Sequence, residues 1–299
     1  MKQEYKNNNL LYFVLIMIAL EAILFSIGNF KLNTAFLKEE NRIINIQNKF
    51  ASTTVQAKAF SIYDVNSGLE IYGKNQNESL PLASLAKTMT VIVALASHEP
   101  GSIVLISPDA IHQAGDYGFF TNEKWKIEDL ARFTLIGSAN DGAYALSGNN
   151  SDFIEEMNNK AKKIGMENTL FLNTTGLDIA GTEIGSSAQV GAYASAFDAN
   201  IMAVYALKIR PNIFSSTVLP EINLKSESGY SHNIKNTDIV LHKIPNLRFS
   251  KTGYTNLTGG NLTIIFEDKS GHEIAITVLG STIEGRFSDM EKLVNVLYL

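Results

Sequence analysis

The sequence predicts an α+β fold, with an antiparallel β-sheet flanked by helices, divided by a large all-helical insertion and preceded by one N-terminal transmembrane helix. Three observations carry this expectation. β-Branched and aromatic segments bounded by Gly and polar turns occur near residue 60 and again over 239–282. Helical start and stop signals dominate between about residues 100 and 215. Residues 10–30, LLYFVLIMIALEAILFSIGNF, form a nearly uncharged run long enough to cross a ~30 Å hydrocarbon core.

Taken in order, residues 1–9 form a short head carrying Lys2 and Lys6, and 10–30 form the span. The apolar run exceeds a usual signal-peptide core and no small-x-small cleavage site follows it, so an uncleaved anchor is expected over a cleaved leader. Glu21 sits inside the span, either protonated or paired with another helix. Lys31, Lys38, Arg42 and Lys49 behind the span outnumber the two lysines before it, and a strict positive-inside count would keep the body in the cytoplasm; large domains, however, translocate regardless of charge. Residues 31–52 read as a juxtamembrane spacer and 53–299 as the folded domain. AFSIYDV and LEIYGKN, joined across Asn66-Ser67-Gly68, predict a β-hairpin. PLASLAKTMT opens an apolar helix at Ser84. EDLARFTLIGSANDGAYALS, SDFIEEMNNKAKKIGM and AYASAFDANIMAVYALKI predict helices, the second ending near Gly165 and the third before Pro211. LRFSKTG, GNLTIIFED and HEIAITVLGS then predict strands, and SDMEKLVNVLYL a closing helix.

Composition excludes several classes. Net charge is −5 with acids and bases interspersed, which lacks the basic footprint of a nucleic-acid binder. The absence of cysteine removes disulfides, thiolate metal sites and cysteine nucleophiles together. The five histidines, at 98, 112, 232, 242 and 272, show no metal-ligand spacing, so neither a metal nor another cofactor is expected.

Three short strings carry chemistry. Ser84-Leu85-Ala86-Lys87 places a serine and a lysine one helical turn apart. Alone this is a common pairing of a helix-capping Ser with a solvated Lys, but TMTVIVALA behind it is apolar on every face, where a stray lysine is costly. Ser138-Ala139-Asn140 follows 54 residues after Ser84, in the helical region, and Lys251-Thr252-Gly253 lies on a later strand. Neither string is informative by itself. In this order, S-x-x-K, S-x-N and K-T-G form the set used by penicillin-binding proteins and serine β-lactamases.

Over residues 55–299 the chain resembles the serine D-alanyl-D-alanine carboxypeptidases of the penicillin-binding protein and serine β-lactamase superfamily. The resemblance is carried by IYDVNSGLEIYGKN, PLASLAKTMT, GSANDGAYAL, MNNKAKKIGMENTLFLNTTGLD, NTD at 236–238, SKTGYTNLTGG, and VLGS followed by GRF. Thr258-Gly259-Gly260 replaces the Ala-Gly common after K-T-G. The resemblance ends at the closing helix, without the extra C-terminal β-domain and amphipathic tail of many relatives, so anchorage is expected at the N-terminus. It implies the penicillin-binding, β-lactamase-like transpeptidase fold and an acyl-enzyme on Ser84. A serine hydroxyl needs a base, and no His occurs in these motifs, which leaves Lys87, its pKa lowered by burial and by Lys251. The resemblance further implies an oxyanion hole from the Ser84 and Tyr254 amides, a proton relay through Ser138, and Asn140 as substrate-amide ligand and orienter of Lys87. It also implies Lys251, Thr252 and Gly253 facing the substrate carboxylate, with Arg286 assisting.

The implied substrate is the terminal D-alanine of peptidoglycan stem peptides, with β-lactams as covalent inhibitors. Because that substrate lies outside the cytoplasm, the resemblance implies a single-pass membrane protein with its catalytic domain extracytoplasmic. A serine β-lactamase is the first rival. Glu155-x-x-x-Asn159 matches the deacylating element of one such class, but lies in a periodic helix and reads as surface. A non-catalytic peptidoglycan-binding scaffold is the second rival, and would have no need of both lysines.

Overall fold

The computed structural model describes residues 53–148, 150–179 and 188–298, together with Phe25, Phe30, Thr34, Leu37, Lys38, 40–45 and 47–50. The chain divides into two compact units, Met1–Ala51 and Ser52–Leu299. Among the described residues no helix is long and apolar enough to cross a membrane, and residues 10–24 and 26–29 of the expected span lie outside them.

The second unit begins with the expected hairpin, β1 (Ala59–Asp64) and β2 (Leu69–Lys74). Its turn is closed by Asp64 Oδ1, which accepts the N–H groups of Asn66 and Ser67 at 2.9 and 3.2 Å, and by Gly68 at φ +72°. After β3 (Leu80–Pro81), one 3₁₀ turn at Ala83–Ala86 leads into α1 (Lys87–Ser97). This helix is buried without a break from Lys87 to Leu95, as its all-round apolar sequence requires.

The next stretch is mixed, where an all-helical insertion was expected. It runs β4 (Ile103–Leu105), α2 (Pro108–Ile111), β5 (Lys124–Lys126), α3 (Ile127–Gly137), α4 (Asn140–Leu146), α5 (Phe153–Lys163), β6 (Leu170–Phe171), β7 (Ala192–Ala194), α6 (Ala196–Ile209), α7 (Pro211–Phe214), β8 (Glu221–Lys225) and β9 (Ser231–Lys235). β4 pairs with β5, β8 with β9, and β7 bridges β3 and β6, all antiparallel. β4 and β5 bury only their central residues, Val104 and Trp125, so neither is long enough for an alternating pattern to stand out. The helix read through EDLARFTLIGSANDGAYALS is likewise two, broken where Ser138 takes φ +60° and Ala139 is extended.

The chain ends in β10 (Leu247–Thr255), β11 (Gly259–Glu267), β12 (Glu273–Ser281) and α8 (Gly285–Tyr298). The main sheet is antiparallel in the order β10-β11-β12-β1-β2, so the N-terminal hairpin adds to the C-terminal meander. Strand residues of one parity, such as Ala59, Ile265, Ala275 and Leu279, join a core shared with α1 and α6. On that face Asn200 of α6 donates to Ser61 O at 3.1 Å and accepts from Thr277 Oγ1 at 2.7 Å. Residues of the other parity, including Ile62, Ile264 and Ile276, are buried too, and α8 packs on β11 and β12 with Tyr298 stacked on Phe266. Covering both faces explains why the central strands read as continuous apolar runs.

Candidate active site

The three motifs meet where the start of α1, the α3–α4 break and β10 come together. The 3₁₀ turn contacts β10 directly. A Cβ at Gly253 would stand 2.7 Å from Leu82 O and 3.3 Å from the Ser84 and Leu85 nitrogens, so only glycine lets the K-T-G strand pass this close to Ser84. That approach sets the backbone of Tyr254 beside the Ser84 turn. Buried Asn261 on β11 ties the same turn to the sheet, donating from Nδ2 to Pro81 O (2.8 Å) and Leu82 O (3.0 Å) while its Oδ1 accepts from Gly280 N (2.8 Å).

Lys87 is fully buried, with Nζ 2.7 Å from Ser84 Oγ and 2.7 Å from Thr175 O. Burial, then the charge of Lys251, holds its pKa well below that of a free lysine, with Asp141 opposing. Lys251 Nζ donates to Ser138 Oγ at 2.9 Å and to Thr252 O at 3.0 Å. Burial and the Arg286 guanidinium push the Lys251 ammonium down to about 7, against the pull of Asp238. Ser84 Oγ, Lys87, Lys251 and Ser138 Oγ therefore form two short donor–acceptor pairs, both with amines whose pKa burial lowers. Asp141, beside Asn140, has its carboxyl raised to about 7, chiefly by burial.

Asn140 is placed differently from the sequence expectation. Its Nδ2 donates to Ala114 O at 2.6 Å, and its buried Oδ1 has no hydrogen-bond partner. Lys87 bonds to Thr175 O instead. Asn140 thus keeps an unused buried acceptor and makes no hydrogen bond to the amine of Lys87. Thr252 Oγ1 pairs with Thr237 Oγ1 at 2.5 Å, which brings the Asn236-Thr237-Asp238 stretch to the strand. Arg286 Nη1 donates to Gly253 O at 2.8 Å, so the guanidinium is bound to the backbone of β10 while its Nε stays buried without a partner.

Two non-glycine residues flanking the reactive groups carry left-handed backbone, Ala83 at φ +49° and Ser138 at φ +60°. Each such residue stores roughly 1–3 kcal/mol of strain, held by surrounding packing. Tyr117 contributes to that packing, donating from its hydroxyl to Ser138 O at 3.3 Å. Among the described residues no group of three His, Asp or Glu side chains could hold a metal ion.

The sequence pattern of peptidase family S11, the D-alanyl-D-alanine carboxypeptidases, matches residues 46–282. The chain belongs to this family. Among curated proteins it is 28% identical over 275 residues to the D-alanyl-D-alanine carboxypeptidase DacF of Bacillus subtilis, covering 89% of this chain and 66% of that protein. It is 28% identical over 209 residues to a D-alanyl-D-alanine endopeptidase of Pseudomonas aeruginosa, covering 66% of this chain and 63% of that protein. The matches thus span a little under two thirds of these relatives' own lengths. Among solved structures, penicillin-binding protein D2 of Listeria monocytogenes in its cefotaxime-bound form is similar at TM-score 0.68 and 29% identity, covering 82% of this chain and 98% of that one.

In this S11 chain, the deacylating element considered at Glu155 and Asn159 lies on solvent-exposed positions of α5, whose buried face is Phe153, Met157 and Ala161. Thr175 and the turn that holds it were missed by sequence reasoning. Their contribution to the site is a backbone carbonyl, which leaves no side-chain signature.

Proposed function

We propose that the chain is a serine D-alanyl-D-alanine carboxypeptidase that removes the terminal D-alanine of peptidoglycan stem peptides and is acylated by β-lactams. The observation that carries this reading is the pair of short contacts, Lys87 Nζ to Ser84 Oγ at 2.7 Å and Lys251 Nζ to Ser138 Oγ at 2.9 Å, in one buried site. Neutral Lys87 takes the Ser84 proton, and Oγ attacks the penultimate carbonyl. The Ser84 and Tyr254 amides hold the developing oxyanion. Ser138, linked to Lys251, passes a proton to the departing amine, so D-alanine leaves and an ester remains on Ser84. Water then cleaves that ester. Asn140 Oδ1, unpartnered and buried, suits a substrate amide N–H, and Lys251 with Thr252 suits the terminal carboxylate. A bound carboxylate also returns Lys251 to its charged form.

Purified protein should release D-alanine from a stem pentapeptide and remain acylated for minutes by a chromogenic β-lactam. Turnover of the β-lactam within seconds would favour the β-lactamase reading. Glu155 lies on the solvent-facing side of α5, whose buried face is Phe153, Met157 and Ala161, and no hydrogen bond ties it to Ser84 or Lys87, which argues against that outcome. Inertness toward both substrates would favour a scaffold.

The same substrate class supports an extracytoplasmic catalytic domain anchored by residues 10–30. Protease added to intact spheroplasts should then digest the domain and leave the anchor in the membrane fraction. Full protection of the domain would overturn this orientation.

A further inference from the structure

The chain turns at 173–177 directly against the start of α1. Gly176 has φ +75°, and a Cβ there would stand 1.9 Å from Ala83 O, so the turn is pressed onto the strained residue preceding Ser84. Thr90 Oγ1 donates to Thr174 O at 2.6 Å, fixing the turn to α1 one residue earlier. At its centre is Asn173, whose Oδ1 accepts from Gly176 N at 2.7 Å and from Thr175 N at 3.2 Å. Its Nδ2 donates to Leu177 O at 2.8 Å. Gly191 closes the other side, since a Cβ there would stand 2.4 Å from Asn173 Nδ2.

The Gly176 N–H and the Thr175 C=O belong to one peptide unit. A trans peptide is planar with its N–H and C=O opposed, so gripping one end aims the other. That other end lies 2.7 Å from Lys87 Nζ. The consequence for the amine is chemical. A neutral amine has two N–H bonds and one lone pair, and a carbonyl oxygen can only accept, so Thr175 O must take an N–H. With one N–H committed to Thr175, the lone pair is free to face the Ser84 hydroxyl.

We infer that Asn173 is a positioning residue for Lys87, acting through the Thr175–Gly176 peptide to direct the lone pair of the amine at Ser84 Oγ. This rests on the reading of Lys87 as the base. The same carbonyl stabilises the ammonium formed when Lys87 takes the proton, because a hydrogen bond to a charged donor is the stronger one. Asn173 therefore influences both the rate of acylation and the pH at which Lys87 titrates. The charged groups facing Lys87 from neighbouring elements are Lys251 on β10 and Asp141 on α4, and neither is altered by a change at Asn173.

The test is the pH profile of acylation by a labelled penicillin for the 299-residue chain and its Asn173→Leu, Asn173→Asp and Lys87→Ala variants, each checked for folding by thermal unfolding. Asn173→Leu frees the peptide, so the plateau rate should fall by roughly 10²-fold, as for a misplaced reacting group. Its acid limb should move to lower pH, because the ammonium loses an acceptor. Asn173→Asp keeps an acceptor for Gly176 N–H and adds a negative charge, so its plateau should fall less and its acid limb should move to higher pH. A structural role alone would scale the rate with the folded fraction and leave the limb in place. A limb of Asn173→Leu at lower pH supports the inference, and one coincident with the parent overturns it whatever Asn173→Asp does, because the added charge by itself moves the limb of the latter. If Asn173→Leu does not fold, Asn173→Gln, which keeps the amide but displaces it, takes its place: a limb at lower pH supports the inference and a limb coincident with the parent overturns it. If Lys87→Ala acylates near the parent rate, the base assignment fails and the inference with it. If Lys87→Ala is inactive while the Asn173 limbs stay in place, the base assignment stands and only the role of Asn173 is lost.

Discussion

Ser84→Ala should abolish covalent labelling by a penicillin, with a loss of at least ~10⁴-fold that leaves the fold intact. Among the described residues Ser84 is the only hydroxyl hydrogen-bonded to Lys87 Nζ, and it sits in a turn held by Gly253, Asn261 and Gly176. None of those three supports depends on the hydroxyl. Thermal unfolding of the variant should therefore stay close to the parent, while intact-protein mass spectrometry shows no adduct. An adduct of full stoichiometry on Ser84→Ala would place the nucleophile elsewhere and remove the basis of the proposed function.

The two lysines should separate on mutation. Lys87→Ala removes the base and should slow acylation by peptide and penicillin alike by ~10²-fold to 10⁴-fold. Lys251→Ala should act chiefly on donors that carry a carboxylate, so an esterified analogue of the same acyl donor should suffer less. The pH dependence follows from the pKa of Lys251, lowered to about 7 by burial and Arg286. Below that value the side chain is charged and attracts the carboxylate; as pH rises through it, that attraction is lost. The parent protein should therefore lose preference for the acid over the ester form on the alkaline side of neutrality, and Lys251→Arg, whose guanidinium stays charged, should lose it much less while acylating more slowly overall. Rates for both donors across pH check this. Equal slowing of acid and ester by Lys251→Ala, or parent-like acylation by Lys87→Ala, would contradict the division.

Much of the fold is legible in the sequence. The Asn66-Ser67-Gly68 turn, the long apolar helix after Lys87 and the three C-terminal strands all appear where their local patterns put them, because turn chemistry and burial on both faces act within a few residues. The small strands β4, β5, β8 and β9 did not, since three- to five-residue ladders take their stability from a partner strand rather than from their own pattern. The break at Ser138 was hidden for a related reason. Its left-handed backbone is held by contacts from elsewhere, including the Tyr117 hydroxyl on its carbonyl.

By itself, the sequence determined the family-defining motifs and the identity of the reactive side chains, because a hydroxyl, two amines and an amide must be encoded as residues whatever the fold does. Tertiary structure alone decided how those groups face one another. It turned Asn140 toward Ala114 O and gave Lys87 a backbone carbonyl from a turn 88 residues away, held there by Asn173. Backbone carbonyls and amides are present at every residue, so their use as ligands leaves no mark in sequence and depends wholly on how the folded chain aims each peptide plane.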